Sequence, residues 1–366
     1  MLMQLEDFKK RDYSLVGEDS TKANELGLIN AQWYKCKISS SELKELSRKN
    51  NIRPLFDTLL WLTLLLALGF LSYSNLETWL AYPLFALYGF VYALGGNSRW
   101  HEMGHKTAFK SKILNEIVYQ IASFVELFPP TQWRWSHVRH HKDTLIVGRD
   151  PEFVSQRPPA LKDILLNFFY LSIGKLNLKR MLLHSIGILD EEEKNYIPDR
   201  HYKKVIWEGR IWVLVFCFII GLCLYYKSIL PILYVIGPTF YGFPFVFLIV
   251  ITQHVGLNDD VLDYRLNTRT FYTNYFIRFL YSNMNYHLEH HMFPSVPYYN
   301  LPLLHEKIKD DCPPAVPSLR SAIKDSVISI IRQTKNPAYT IFPKLSEEAN
   351  PYLYGPSPYC FKPKQK

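Results

Sequence analysis

The sequence predicts an all-α integral membrane protein, with four transmembrane helices arranged as two hairpins under a cytosolic helical cap. Three observations predict it: four long runs almost free of charge, Lys and Arg confined to one side of those runs, and histidines gathered just past their ends. The runs are residues 55–73, 79–96, 211–226 and 229–251, each close to the ~20 residues a helix needs to cross hydrocarbon. The first contains the only charge among them, Asp57, near its start. In a soluble protein all four would be apolar on every side, whereas a surface helix keeps one polar face. The last run contains Pro231, Pro238 and Pro244, which should kink it unless neighbours take up the freed carbonyls. Membrane helices also tolerate proline without any functional cause.

Orientation follows from the cations. Ten Lys or Arg lie in residues 1–54, eighteen in 97–210 and thirteen in 252–366, and Lys227 alone sits between the last two runs. Positive charge marks the cytosolic side. The connections 74–78 and 227–228 therefore face away from the cytosol, while both termini and the loop 97–210 face it. Three parts result: a cytosolic segment 1–54, a membrane domain 55–310 and a cytosolic segment 311–366. The net charge of +9 is spread along these flanks, which suits a membrane surface and argues against nucleic acid as a partner.

Residues 1–51 are polar and show no secretory signal. Cys36, Cys217, Cys223, Cys312 and Cys360 have no paired spacing, so neither a disulfide framework nor a thiolate metal site is expected. Within the central loop, 113–128 and 164–173 are apolar but too short to span, and read as buried or interfacial helices. Pro129, Pro130, Pro158 and Pro159 punctuate that loop. An amphipathic helix is expected at 319–332, followed by a tail rich in Pro and Tyr to which no chemistry is assigned. The ending, with Lys362, Lys364 and Lys366, resembles a dilysine retrieval signal of the endoplasmic reticulum, although an ordinary basic tail explains it as well. In a bacterial host the location would be the inner membrane.

Nine of the twelve histidines fall where the hairpins return the chain to one side. His101 and His105 are four residues apart after the second run; His137, His140 and His141 lie in the central loop; His254 follows the fourth run; and His287, His290 and His291 repeat the second spacing. Positions i, i+3 and i+4 share a helix face, so each group can aim its imidazoles at a common point. A lone histidine near a membrane is ordinarily an interfacial or core residue, and His184, His201 and His305 are read that way. Three clusters differ, because without a metal many ring nitrogens would go unsatisfied and protonation would crowd like charges. Imidazole suits zinc, copper, iron and nickel alike, so ligand type leaves the metal open. Number says more: a zinc site closes with about four ligands, whereas nine histidines can hold two metals and leave positions for dioxygen or water. Two irons could share the electrons needed to cleave dioxygen and attack an unactivated C–H bond.

The segments His101-Glu-Met-Gly-His105, Trp135-Ser-His-Val-Arg-His-His141 and Asn285-Tyr-His-Leu-Glu-His-His-Met-Phe-Pro294 resemble the three histidine boxes of membrane fatty-acid desaturases and related hydroxylases, across roughly residues 55–310. The resemblance implies a non-haem di-iron centre with O2 as co-substrate, a membrane lipid or acyl substrate, and electrons from a separate ferredoxin or b-type cytochrome with its reductase. No His-Pro-Gly-Gly haem segment is present. Stretches 105–110 and 143–152 are similar to a branch that includes the dihydrorhizobitoxine desaturase. Acyl-CoA desaturases of the stearoyl type have a longer first box, and an asparagine where this chain has Val250. Asn258 and Asn283 are therefore the candidates to hold a water-mediated ligand.

Metal-bound imidazoles usually give their second N–H to a carboxylate or carbonyl. Glu102, Asp143, Asp150 and Glu289 are near enough in sequence to receive it, although a surface ion pair is the plainer role for any one of them. Trp133 and Trp135 are candidates to line an acyl tunnel or to anchor at the headgroup level. The first box is also H-E-x-x-H, the motif of a zinc metalloprotease, a reading that leaves two H-x-x-H-H clusters unexplained. A hydroxylase, ketolase or epoxygenase would need the same ligands, since dehydrogenation and oxygen insertion differ in how the substrate is placed. A metal carrier would instead put its ligands inside the spans, near the midplane.

Overall fold

The computed structural model describes residues 5–153 and 155–352, so Cys360 and the lysines of 362–366 lie outside the described residues. Among those described, the chain is helical, with β structure limited to isolated bridges. The helices that build the molecule are α1 (Ile52–Ser74), α2 (Ala81–Gly104), α3 (Lys112–Glu126), α4 (Pro130–Lys142), α5 (Leu161–Phe168), α6 (Leu171–Ser185), α7 (Tyr202–Tyr226), α8 (Leu230–Val235), α9 (Gly237–Val250), α10 (His287–Met292) and α11 (Leu319–Lys335).

Three stretches among the described residues are long and apolar enough to cross a membrane: Ile52–Ser74, Asp199–Tyr226 and Leu230–Val250. The run expected at 79–96 forms part of α2, which has the length at 24 residues. Its apolar character is diluted by Tyr82, Pro83, Tyr88, Tyr92 and four glycines, and its last turns carry Asn97, Arg99, His101 and Glu102. The physical reason is position. From Val91 to Met103 nearly every α2 residue is buried against protein, so this helix needs little lipid-facing apolar surface.

The charge in the first run is accommodated rather than exposed. Asp57 is buried on α1 and accepts hydrogen bonds from Arg53 at 2.9 Å and from the Tyr298 hydroxyl at 2.7 Å. Trp61, one turn on, is fully buried and donates its indole N–H to the Val91 carbonyl of α2 at 2.9 Å.

The prolines of the fourth run break it at Ile236, between α8 and α9, while Pro244 is carried inside α9. Tyrosine hydroxyls take up the carbonyls at the break. Tyr241 donates to Leu233 at 3.2 Å, Tyr88 to Tyr234 at 2.9 Å and Tyr92 to Val235 at 2.6 Å. Such partners are what allow a membrane helix to be interrupted. Below the break, α9 crosses α2 backbone to backbone at Gly242 and Gly89. A Cβ at Gly242 would lie 2.1 Å from the Gly89 carbonyl oxygen.

The two apolar segments of the central loop form α3 and the α5–α6 pair, the latter separated at Phe169 and Tyr170. On α3, Ile113, Ile117 and Ile121 make an exposed stripe at helical spacing, and Leu161 and Leu165 do so on α5. Exposed apolar stripes on short helices suit a membrane interface.

Residues 5–51 pack against segments that follow α9. Arg11 pairs with Asp259 at 2.6 Å, the Tyr34 N–H donates to the Leu262 carbonyl at 2.9 Å, and the Cys36 N–H points at the Met292 sulfur at 3.1 Å. The thiols of Cys36 and Cys312 meet at 3.5 Å, a contact between residues too far apart in sequence to suggest it.

Candidate metal centre

Four pieces of chain bring the nine histidines together. α2 ends with His101 on its last turn and His105 at its C-cap. α4 starts with Pro130 in its first turn, where the missing N–H costs nothing, and presents His137, His140 and His141. His254 stands in the turns after α9, and the fully buried α10 supplies His287, His290 and His291.

The imidazoles divide into two sets. His101, His105, His137, His141 and His290 form one, and His140, His254, His287 and His291 the other, with candidate ligand atoms inside each set within 4.8 Å of one another. The two sets are neighbours, since the His141 and His291 rings stack at 4.2 Å. Sequence spacing suggested that each H-x-x-H-H group aims at one point. Instead each group is split: the i and i+4 rings go to one set and the i+3 ring to the other. Around a helix, i+3 and i+4 lie about 100° apart, on opposite sides of i, which supports this division.

Within a set, nitrogens converge. Nε2 of His137 is 3.0 Å from Nε2 of His105 and 3.1 Å from that of His141, and His290 Nε2 is 3.1 Å from both His105 and His141. In the other set His287 Nε2 is 3.0 Å from His254 and 3.1 Å from His291. The outer nitrogens show what these atoms carry. His254 Nδ1 lies 2.8 Å from the Asn267 carbonyl, which only accepts, so the ring proton is on Nδ1 and Nε2 presents a lone pair. His137 Nδ1 meets Glu152 at 2.9 Å and His140 Nδ1 meets Asp150 at 2.9 Å, with the same consequence. Converging buried lone pairs repel unless a cation lies between them. A metal bound to imidazole at about 2.1 Å places ligands at right angles about 3.0 Å apart, and tetrahedral ligands about 3.4 Å apart. The observed 3.0 to 3.1 Å is a separation that ligands of one metal ion can adopt. His101 Nε2 is buried with no hydrogen-bond partner, as a ligand atom would be.

Each carboxylate or amide suggested by sequence has a definite place. Asp150 holds His140 and also accepts the N–H groups of Leu145 and Glu152, both at 2.8 Å. Glu102 is fully buried, 3.4 Å from His101 Nδ1 and 3.7 Å from His290 Nδ1. Asp143 reaches no imidazole and pairs with Arg139 at 2.6 Å and Arg149 at 3.3 Å. Glu289 turns away from its own box to His305 and Thr270, both at 2.5 Å. Asn258 bonds to the Leu266 and Ile341 carbonyls, and Asn283 to Arg278 and the Tyr298 carbonyl, so neither reaches a histidine. Trp133 stacks on Phe128 at 4.0 Å, beside Trp100 and through it His137, whereas Trp135 packs on the other side with Leu15, Tyr196 and Val205.

Sequence reasoning missed Glu152, Thr144 and Gln253. Thr144 Oγ1 stands 3.2 Å from His291 Nδ1, and the Gln253 carboxamide 3.3 Å from His287 Nδ1. Ligation through His287 Nε2 requires Gln253 to turn its oxygen to that N–H. Glu152 lies two residues from Asp150, and that closeness is the one signal that could have found it.

Removing these outer partners should weaken metal binding without unfolding the cap. Asp150→Asn and Glu152→Gln are each expected to lower metal affinity about 10–100-fold, read by competition against a chelator. Unchanged affinity in both would remove them from the site.

Burial, reinforced by neighbouring imidazoles, holds His105, His137, His141, His287, His290 and His291 well below the usual histidine range. Burial likewise brings His101 and His254 down to about 3. His140 departs from them: burial lowers it, but the Asp150 carboxylate more than offsets this and raises it. In metal-free protein the unfolded chain, with histidines near about 6.5, takes up protons that the folded one refuses. Stability then falls as pH falls below that value. The cap's melting temperature after chelation should therefore decline from about pH 6.5 downward, and a flat profile would show that these rings are not held neutral.

A family model described as fatty acid desaturase matches residues 77–322. An sn-1 acyl-lipid omega-3 desaturase (ferredoxin) from Nostoc sp. is 29% identical over 107 residues, 28% of each chain. A probable fatty acid desaturase from Sorghum bicolor is 23% identical over 260 residues, 62% of this chain and 63% of its own. An endoplasmic-reticulum omega-3 fatty acid desaturase from Nicotiana tabacum is 22% identical over 257 residues, covering 62% and 64%. The chain thus spans less than two thirds of the length of these relatives.

Proposed function

Because the chain belongs to the fatty acid desaturase family, we propose that it is a membrane di-iron desaturase, introducing a C=C bond into a fatty-acyl or related lipid chain. The overall reaction takes two hydrogens from adjacent carbons and, with O2, two protons and two external electrons, yields the alkene and two waters. Two irons bound by the nine histidines would supply the dioxygen chemistry.

The protein's own residues hold and shield that chemistry. Asp150, Glu152 and the Asn267 carbonyl fix the imidazoles by their Nδ1 protons, so that Nε2 faces inward. Trp100, Phe128 and Trp133 form an aromatic wall beside His101 and His137 that excludes water and suits an acyl chain. α2 completes a fourth membrane crossing as the partner of α1, which leaves the histidine cap and both termini on the cytosolic side. Electrons come from a separate one-electron carrier, as the name of the Nostoc relative suggests for that protein. The segment resemblance to the dihydrorhizobitoxine branch leaves the carrier of the acyl group open.

The convergence of buried Nε2 lone pairs in two adjoining sets carries this reading. The test is metal content of purified protein together with lipid profiles of cells with and without the chain. Two irons and a new double bond are expected; a hydroxylated product would move the assignment to oxygen insertion, and a single zinc would end it.

A further inference from the structure

The cap carries a groove of about 1030 Å³ that the metal centre does not itself explain. Its floor is Trp33 and Tyr264, stacked at 4.4 Å with their planes 15° apart, and its rim includes Lys35 and Lys142. The stack leads inward. The Tyr264 ring is 5.7 Å from that of His291, and its hydroxyl donates to the His141 carbonyl at 2.9 Å. Two aromatic rings thus run from an open groove to a point touching both histidine sets. A purely structural pair would need no open groove over it.

We infer that this groove is the docking site of an acidic one-electron carrier protein, and that Trp33 and Tyr264 form the path by which its electrons reach the histidine centre. The inference rests on the desaturase reading. Charge selects the partner: Lys35 and Lys142 are exposed and free of ion pairs among the described residues, and no acidic side chain lines the groove. The acids that adjoin the groove residues are engaged by arginines: Asp311, bonded to Tyr34, by Arg265 at 3.1 Å, Asp263 by Arg265 at 2.7 Å, and Asp143 by Arg139 at 2.6 Å. A lipid surface is disfavoured because Asn30, Gln32 and the lysines make the rim polar, unlike the aliphatic stripes of α3 and α5. In the redox step each carrier molecule is oxidised by one electron and reduces one metal ion by one, so two encounters deliver the two electrons of the reaction.

The test uses the full chain, loaded with iron in lipid nanodiscs. Docking of an acidic two-iron, two-sulfur ferredoxin and of an acidic b-type cytochrome is measured against salt. Lys35→Glu with Lys142→Glu should weaken docking of the functional carrier about tenfold or more at low salt and flatten its salt dependence. Trp33→Leu should lose the fast phase of centre reduction in stopped-flow absorbance even at saturating carrier, where any change in docking affinity no longer matters. Docking of neither carrier, docking indifferent to the charge reversal, or an effect of that reversal only on anionic vesicles would overturn the assignment. If iron content and dehydrogenation driven by a chemical reductant survive in those same variants, the desaturase reading stands and only the groove assignment falls.

Discussion

Replacing His287 by alanine is expected to abolish dehydrogenation and to lower iron from about two per chain toward about one. The reason is the unequal size of the two sets. His287 belongs to the set of four and stands between His254 and His291, at 3.0 and 3.1 Å, so its loss leaves three ligands without their central member. His137→Ala removes one of five, and the remaining four histidines should retain more metal than the His287 variant does. Both variants should be inactive, because the chemistry needs both metals, yet they should differ in iron content. Membrane insertion should be unaffected, since neither residue lies in a spanning stretch. Iron analysis of membrane-purified variants beside lipid profiles checks this. Full activity in either would refute the ligand assignment, and equal iron in both would refute the inequality of the sets.

Much of this arrangement could be read in the sequence, and the parts that could not share a physical cause. Long charge-free runs report on length and apolar character, which is why 55–73 and 211–226 fall within helices apolar enough to cross a membrane and 229–251 overlaps a third, Leu230–Val250. The run at 79–96 was read as a span like the other three, yet α2 falls short of them in apolar character, because it is buried by protein and packing against protein relaxes the hydropathy that lipid would demand. The histidine spacing pointed to a metal centre but not to how the rings divide, since the three-residue and four-residue steps share a face in sequence and part only in three dimensions. Outer partners depend on loop geometry. Asp143 and Asp150 look alike by proximity, yet two arginines claim Asp143 while the turn at 145–152 folds Asp150 and Glu152 back onto α4. Glu289 sits inside its box and still serves His305, because α10 presents that face away from the centre. Trp33 and Tyr264 are separated by most of the chain, so no local pattern could pair them.

The largest structural effect should come from a residue that touches no metal ligand. Gly242→Val places a branched side chain where even a Cβ would stand 2.1 Å from the Gly89 carbonyl oxygen and 3.0 Å from the Gly89 Cα. The obstruction is backbone, so no side chain can rotate away, and the helices must separate. α2 carries His101 and His105, while α9 leads into His254; separating them pulls the five-histidine set from the four-histidine set. Overpacking ordinarily costs about 1–3 kcal/mol, and a contact of backbone with backbone should reach or exceed the top of that range. The expected result is a sharp fall in folded yield, with little iron in what remains. Gly221→Val is the control, because a Cβ there meets nothing within 4 Å on the exposed side of α7. It changes the same residue type in a similarly apolar helix and should leave yield and iron unchanged. If the two variants behave alike by size-exclusion profile and iron content, close approach of α2 and α9 is not what sets the spacing of the histidine sets.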